Sequence, residues 1–141
     1  MDEQRLVEDL NGDLAGALGA IIQRITYAAK TTSRSGRRLA EFFLSGLASK
    51  QVHAQVLAKR IVTLGGQPTT IPRAVPEANT NRQMLEALLT TLRQAVDDFT
   101  EHTRQAEEYS DKALATELGN MMREETVQVA RTERILRDWA L

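Results

Sequence analysis

The fold of this chain is decided by the stretch GGQPTTIPRAVPE at residues 65–77. All three prolines of the sequence lie here, at Pro68, Pro72 and Pro76, directly after a pair of glycines. Proline removes a backbone donor and clashes with the preceding turn of a helix, so this segment is predicted to be a loop. It divides the 141 residues into two halves of similar length, which contain no further proline.

Each half divides once more, at the polar stretch 32–36 in the first half and at 109–111 in the second. Between these breaks, apolar residues recur at steps of three and four, which predicts amphipathic helices. In the first helix, the predicted core stripe contains Leu6, Leu10, Leu14, Ala17, Ile21, Ile25 and Ala28. We predict four helices, A to D, at about residues 3–31, 35–64, 80–108 and 111–140, with Asn79 or Asn81 capping C and Ser110 capping D.

The predicted architecture is a single all-α domain, an antiparallel four-helix bundle with one long crossover loop between B and C. A helix of about 30 residues is about 45 Å long, and a loop of about 15 residues can span about 50 Å. The loop at about 65–79 can therefore run the length of the bundle, with Ile71 and Val75 available to pack against it, whereas the two short connections must be hairpins.

Composition excludes several classes of function. The net charge is −1, from 18 basic and 19 acidic residues, which argues against nucleic-acid binding. The absence of cysteine excludes disulfides, thiolate ligands and cysteine nucleophiles. Apolar runs are far too short for a membrane span, and the polar start has no signal peptide, so we expect a cytoplasmic protein.

Polar residues interrupt the predicted core stripes at the middle of the bundle. Helix B places Lys50 and His53 there, helix D places Glu125 and Gln128, and helix A adds Arg24. A buried charge needs a partner, so we predict a core charge cluster in which Lys50 pairs with Glu125 and Arg24 lies nearby. The alternative is that the two cations extend to solvent. For His53, a hydrogen-bonded core histidine is preferred to a metal ligand.

Two stretches resemble bacterioferritins of the ferritin-like superfamily. LNGDLAGALGAIIQ at residues 10–23 is similar to their first helix, and HAQVLAKRIVTLGGQP at 53–68 is similar to their second helix and its exit turn. Met84-Leu85-Glu86, Asp111 and Glu124-Glu125 extend the resemblance more loosely. It implies a ferritin-like bundle with a di-iron centre, although the short C-terminal fifth helix of cage-forming members is missing.

The resemblance implies six former metal-site positions, of which only two keep a metal-binding side chain. They are Ala17 in helix A, Lys50 and His53 in helix B, Leu92 in helix C, and Glu125 and Gln128 in helix D. The tyrosine beside the family's site falls at Arg24, and the methionine that ligates haem falls at Gln51.

One carboxylate beside a lysine cannot balance two iron ions. We therefore interpret the chain as a bundle that has lost its di-iron centre and ferroxidase activity, binds no cofactor, and serves as a structural or interaction subunit. The alternative is an iron-binding ferroxidase or storage protein with an atypical site. Its weak candidate ligands are His53 and Glu125, or Asp98 and His102, which are four residues apart on helix C.

Apolar residues away from the core stripes indicate self-association. Leu18, Ile22, Phe42 and Leu47 lie on helices A and B, the helices through which bacterioferritin-like relatives pair. We predict a homodimer through these helices, with co-assembly with another ferritin-like subunit as a variant. No nucleic-acid or membrane partner is expected.

Overall fold

The structure is a computed structural model that describes residues 2–141. Its helices are α1 (Glu3–Lys30), α2 (Gly36–Ser45), α3 (Leu47–Thr63), α4 (Asn81–Glu108) and α5 (Lys112–Asp138). No strand occurs within residues 2–141. Because α2 and α3 follow each other across Gly46, the five helices form the four arms of an antiparallel bundle, as predicted.

The predicted helix B is two helices, and its continuity is the main error in the predicted elements. The break lies at Gly46, the residue between α2 and α3. A Cβ atom at this position would lie 2.6 Å from Nη1 and 2.7 Å from Nε of Arg24. A larger residue at this position would have to displace the buried Arg24 guanidinium, which occupies the space beside the backbone.

Helix α4 and helix α5 begin at caps other than those predicted. Thr80 caps α4, since its hydroxyl accepts from the Gln83 amide at 3.1 Å. Asp111 caps α5 by accepting from the Leu114 amide at 3.0 Å. Ser110 instead has a φ of 64°, which makes it part of the turn. Asn81 instead joins the start of α4 to the turn after α1, because its side chain donates to the Thr32 carbonyl at 2.8 Å.

The apolar core consists of two clusters at opposite ends of the bundle. One contains Leu10, Leu57 and Leu118, and the other contains Phe43 and Leu88. On α1, α3 and α5, buried polar residues such as Arg24, Lys50 and Glu125 lie between the two clusters, whereas the buried polar residues of α4 lie near its ends. The bundle therefore has a polar layer at its centre, between two ordinary hydrophobic ends.

The crossover loop lies along α1 for most of the length of that helix. The amide of Thr69 donates to the Asn11 side chain at 2.8 Å, and the Tyr27 hydroxyl donates to the Pro76 carbonyl at 2.5 Å. Two apolar side chains lie differently from the prediction. Ile71 is 74% exposed instead of packing on the bundle, and Ile25, expected in the core, is 50% exposed. Within the described range, no helix combines the length and apolar character that crossing a membrane requires.

Candidate functional site: the polar layer at the bundle centre

The centre of the polar layer is an ion pair between α3 and α5. The Lys50 ammonium donates to Oε1 of Glu125, and the two residues are 5% and 1% exposed. Burial lowers the pKa of Lys50, and the Glu125 carboxylate opposes this effect. An ammonium in this environment is stable only because a carboxylate is within hydrogen-bonding distance.

His53 binds the neighbouring carboxylate, Glu124. Its Nε2 lies 2.6 Å from Oε2 of Glu124, and the Ser49 hydroxyl donates to the same oxygen at 2.9 Å. Partial burial raises the pKa of Glu124, but the hydrogen bonds from His53 and Ser49 outweigh it and the net pKa is lowered. The other ring nitrogen, Nδ1, is 3.5 Å from Glu125, too far for a good hydrogen bond.

Arg24 occupies the same layer but binds mainly uncharged oxygens. Its Nη1 donates to the Phe43 carbonyl at 3.1 Å, and its Nη2 donates to Oε1 of Gln128 at 3.2 Å. The Phe43 carbonyl lies in the last turn of α2, which ends at Ser45, and the last carbonyls of a helix have no partner within it. Burial lowers the pKa of Arg24 to about 10, although the charge of Glu125 acts in the opposite direction.

The remaining positions implied by the family resemblance contribute no polar group. Ala17 lies beside Lys50 and His53 on the wall of a cavity between α1, α4 and the crossover loop. Leu92 is 1% exposed and belongs to an apolar cluster. The layer therefore brings together Lys50, His53 and Glu125, while Leu92 takes no part in it.

A second pair joins Asp13, a buried residue of α1 outside the predicted set, to His102, a half-buried residue of α4 that was a predicted candidate ligand. Nδ1 of His102 is 2.6 Å from Oδ2 of Asp13. Burial raises the pKa of Asp13 to about 6 despite the opposing effect of His102. Burial also acts to lower the pKa of His102, but the Asp13 carboxylate outweighs it and raises the pKa. Asp98, the predicted partner of His102, instead accepts from Gln94 at 2.9 Å.

Sequence reasoning missed two residues of these clusters. Asp13 directly precedes the core residue Leu14, so its burial could have been predicted from the sequence. A buried aspartate needs a partner, and that need could have linked it to His102. Glu124 lies next to Glu125 and is largely exposed, so its contact with His53 depends on the side-chain geometry across two helices. Neither contact has a sequence spacing that reveals it.

The donor chemistry of the layer does not fit a di-iron group. The one fully buried carboxylate, Glu125, accepts from an ammonium, and the amide oxygen of Gln128 accepts from Arg24. Nowhere in the part of the chain that the structure describes do three histidine, aspartate or glutamate side chains converge as a metal site would need. Two iron ions require several carboxylates that are free to coordinate them.

Comparison with known proteins gives the family. A model of the ferritin-like domain matches residues 7–141. The chain belongs to the ferritin-like family. It is 35% identical to a protein from Bacillus anthracis strain Ames described as ferritin-like and diiron-carboxylate, with a TM-score of 0.94 over 96% of this chain and 99% of the other. No curated protein matches the chain.

More distant members share the fold. The bacterioferritin BfrA of Mycobacterium tuberculosis is 21% identical, with a TM-score of 0.86 over 94% of this chain and 84% of the other. A Dps protein from Thermosynechococcus elongatus is 18% identical, with a TM-score of 0.88 over 94% of this chain and 90% of the other. These similarities show that the bundle with its long crossover has the ferritin-like fold.

Proposed function

We propose that this chain is a ferritin-like bundle without a di-iron centre, in which the Lys50–Glu125 ion pair stands where the metal would be held. The observation that carries the proposal is the ammonium of Lys50 bonded to Glu125 at the middle of the bundle. The positive charge that iron would supply is provided by a side chain, which needs neither metal loading nor redox chemistry. The chain then acts as a structural or interaction subunit and not as a ferroxidase.

The neighbouring residues support this assignment. Ala17 and Leu92 offer no ligand atom, and Gln128 is engaged by Arg24. A lysine that donates to a carboxylate also repels a cation approaching the same oxygen. At the short distances of this layer and in its low dielectric, that repulsion would be worth several kcal/mol.

Iron loading of the purified chain tests the proposal. Ferrous iron is added anaerobically, excess metal is removed, and iron content and oxygen consumption are measured. We expect less than one iron per chain and no rapid oxidation. A variant combining Ala17→Glu, Lys50→Glu, Leu92→Glu and Gln128→His provides six ligands and should gain iron. A matched chain with glutamine replacing each introduced glutamate should not. Two irons bound by the parent with fast oxygen uptake would refute the proposal.

A second candidate function is iron binding at an atypical site. The specific observation in its favour is that the relative from Bacillus anthracis, 35% identical, is described as diiron-carboxylate, while in this chain His53 contacts Glu124 through Nε2 and lies 3.5 Å from Glu125 through Nδ1. In that case iron must displace Lys50 from Glu125. One iron per chain in the loading experiment, abolished by His53→Ala, would favour this candidate.

The interaction role that we propose is a homodimer through α1, α2 and α3. Ile22 and Ile25 are 43% and 50% exposed and lie three residues apart, so they share one side of α1, and Leu44 on α2 is 46% exposed. Phe42, which the sequence suggested for this surface, is instead buried beneath Arg24 and Arg131. Pairing with another ferritin-like subunit would use the same apolar surface.

A further inference from the structure

A surface pocket between α2 and α5 combines arginines with aromatic rings. Its volume is about 410 Å³, within the range of about 300–1,000 Å³ that is usual for ligand sites. Residues 38, 41 and 42 of α2 and residues 131, 134 and 135 of α5 line it, so each helix presents one side to the pocket. The charged and aromatic side chains of its wall are Arg38, Glu41, Phe42, Arg131, Arg134 and Trp139.

The three arginines of this wall have no partner within the described chain. Among residues 2–141, no carboxylate lies within 4.0 Å of their guanidinium nitrogens, and none of them donates a hydrogen bond to another residue. Glu41 lies 3.7 Å from Arg37, which is not part of the wall. Three guanidinium groups and one carboxylate therefore give the wall a formal charge of +2.

Aromatic rings hold two of these arginines in place. The guanidinium carbon of Arg38 lies 4.1 Å from the centroid of the Trp139 ring, and that of Arg131 lies 5.4 Å from the centroid of Phe42. Phe42 is itself fixed, since it is only 5% exposed. A guanidinium that rests on a ring keeps the N–H groups at its edge available to an anion.

A further positive charge lies close to this wall. The buried guanidinium of Arg24 is 5.7 Å from the centroid of the same Phe42 ring, and the oxygens to which it donates belong to uncharged groups. The charge of Arg131 contributes to lowering the pKa of Arg24, because the two cations repel each other. An anion bound at Arg131 would reduce that repulsion.

We propose that this pocket binds a small molecule through a phosphate monoester group, with Arg38, Arg131 and Arg134 as its donors. A phosphate monoester carries a charge of nearly −2 and three terminal oxygens, which matches the charge of the wall and its three guanidinium groups. A carboxylate offers one charge and two oxygens. The inference goes beyond the proposed function and does not rest on it, because no residue of the wall is a former metal-site position.

Equilibrium dialysis with radiolabelled inorganic phosphate, at constant ionic strength and in the presence of EDTA, tests the proposal. We expect one saturable site per chain, with a dissociation constant at or below about 1 mM. Glycerol 3-phosphate should displace the label, and acetate should need a concentration at least about tenfold higher. Because EDTA removes iron, phosphate cannot be held through bound metal, and a failure here is distinct from the result of the iron-loading experiment.

Substitutions locate the site. Arg38→Gln and Arg131→Gln should each weaken binding about tenfold, as the loss of one charge-assisted hydrogen bond implies. Glu41→Gln should strengthen binding, since it removes the one carboxylate of the wall. Arg123→Gln is the matched control, because Arg123 is an exposed α5 residue that bonds to Asn120 and does not line the pocket. It removes the same charge without freeing a carboxylate, and it should leave the dissociation constant unchanged.

Several outcomes would overturn the proposal. One is the absence of saturable binding up to about 10 mM phosphate. Another is an equal loss of affinity in Arg123→Gln and Arg131→Gln, which would mean that phosphate responds to the overall charge of the chain. If glycerol 3-phosphate fails to displace the label, the site accepts only free phosphate and the monoester assignment is wrong. Circular dichroism of each variant verifies that the helices are intact.

Discussion

At the scale of single residues, the polar layer depends on how a buried ammonium is compensated. Lys50 is 5% exposed, and its carboxylate partner Glu125 is 1% exposed. Desolvating two charges costs several kcal/mol each, and their attraction offsets that cost only while both are present. The pair is therefore vulnerable to loss of either member and tolerant of loss of both.

Lys50→Met should destabilise the chain by about 3–5 kcal/mol, because Glu125 would remain buried and unpaired. The double variant Lys50→Met/Glu125→Leu should recover most of that loss, since neither charge is left to desolvate. Urea unfolding followed by circular dichroism measures both. If Lys50→Met is as stable as the parent, or if the double variant is less stable than the single one, Lys50 does not form a structural ion pair.

The residues of this layer differ in how far the sequence could predict them. Lys50 and Glu125 lie on apolar stripes, so a pairing of opposite charges follows from the need to neutralise them. The partner of Arg24 could not be predicted in the same way, because it includes the Phe43 carbonyl, which becomes free only where α2 ends. Arg24 also packs against Gly46, the residue between α2 and α3, and this contact joins positions far apart in the sequence.

At the scale of elements, the crossover loop is held by its backbone contact with α1. The Arg73 amide donates to the Ala15 carbonyl at 2.9 Å. At Gly19, a Cβ atom would meet the Arg73 carbonyl group, with the carbonyl carbon at 3.2 Å and its oxygen closer still. Glycine at this position permits the close approach of loop and helix, and thereby closes the outer wall of the cavity.

Gly19→Ala should destabilise the fold by about 1–3 kcal/mol, because the added methyl group forces the loop backbone away from α1. Gly12→Ala is the matched control on the same helix, since no atom beyond its chain neighbours and the local helix backbone lies within 4 Å of the added methyl group. It should stabilise the chain by about 0.5–1 kcal/mol through helix propensity. Thermal unfolding of the two variants measures the contrast, and equal shifts in the same direction would show that the loop does not rest on Gly19.

The existence of each arm was predictable, but the details of its ends were not. Prolines and helical periodicity indicate the arms and the crossover regardless of tertiary contacts. The cap of α4 depended on a choice among Asn79, Thr80 and Asn81, all of which are good N-cap residues. Thr80 is used because Asn81 is committed to the backbone of Thr32 across the bundle.

At the scale of the whole molecule, the Asp13–His102 pair should make stability depend on pH. The pKa of Asp13 rises from 3.8 to about 6 on folding, so the free energy of unfolding falls as the pH rises through that interval. The folded pKa of His102 lies above 6.5, so its contribution is present below 6.5 and is lost as pH rises through the folded value. Both groups therefore lower the free energy of unfolding as the pH rises.

Relative to the variant Asp13→Asn/His102→Gln, the parent's free energy of unfolding should fall steadily between about pH 4 and pH 8. The difference between the two proteins isolates the pair from other titrating groups, including Asp9 and Asp98 nearby. Urea unfolding at several pH values provides the measurement. A difference that is constant or grows with pH would mean that Asp13 is not buried beside His102 in the folded chain.

The exposed apolar side of α1 leads to the last prediction, which concerns assembly. Ile22→Glu/Ile25→Glu places two like charges on this side, where a symmetric dimer would bring four together near its axis. We expect a parent dimer in sedimentation velocity and a dissociation constant raised at least about 100-fold by the double variant. Val127→Glu is the control, because Val127 is 58% exposed but lies on α5. A monomeric parent would exclude this interface. Equal effects of the α1 and α5 substitutions would also exclude it, since charge would then act through the surface in general and not through one contact.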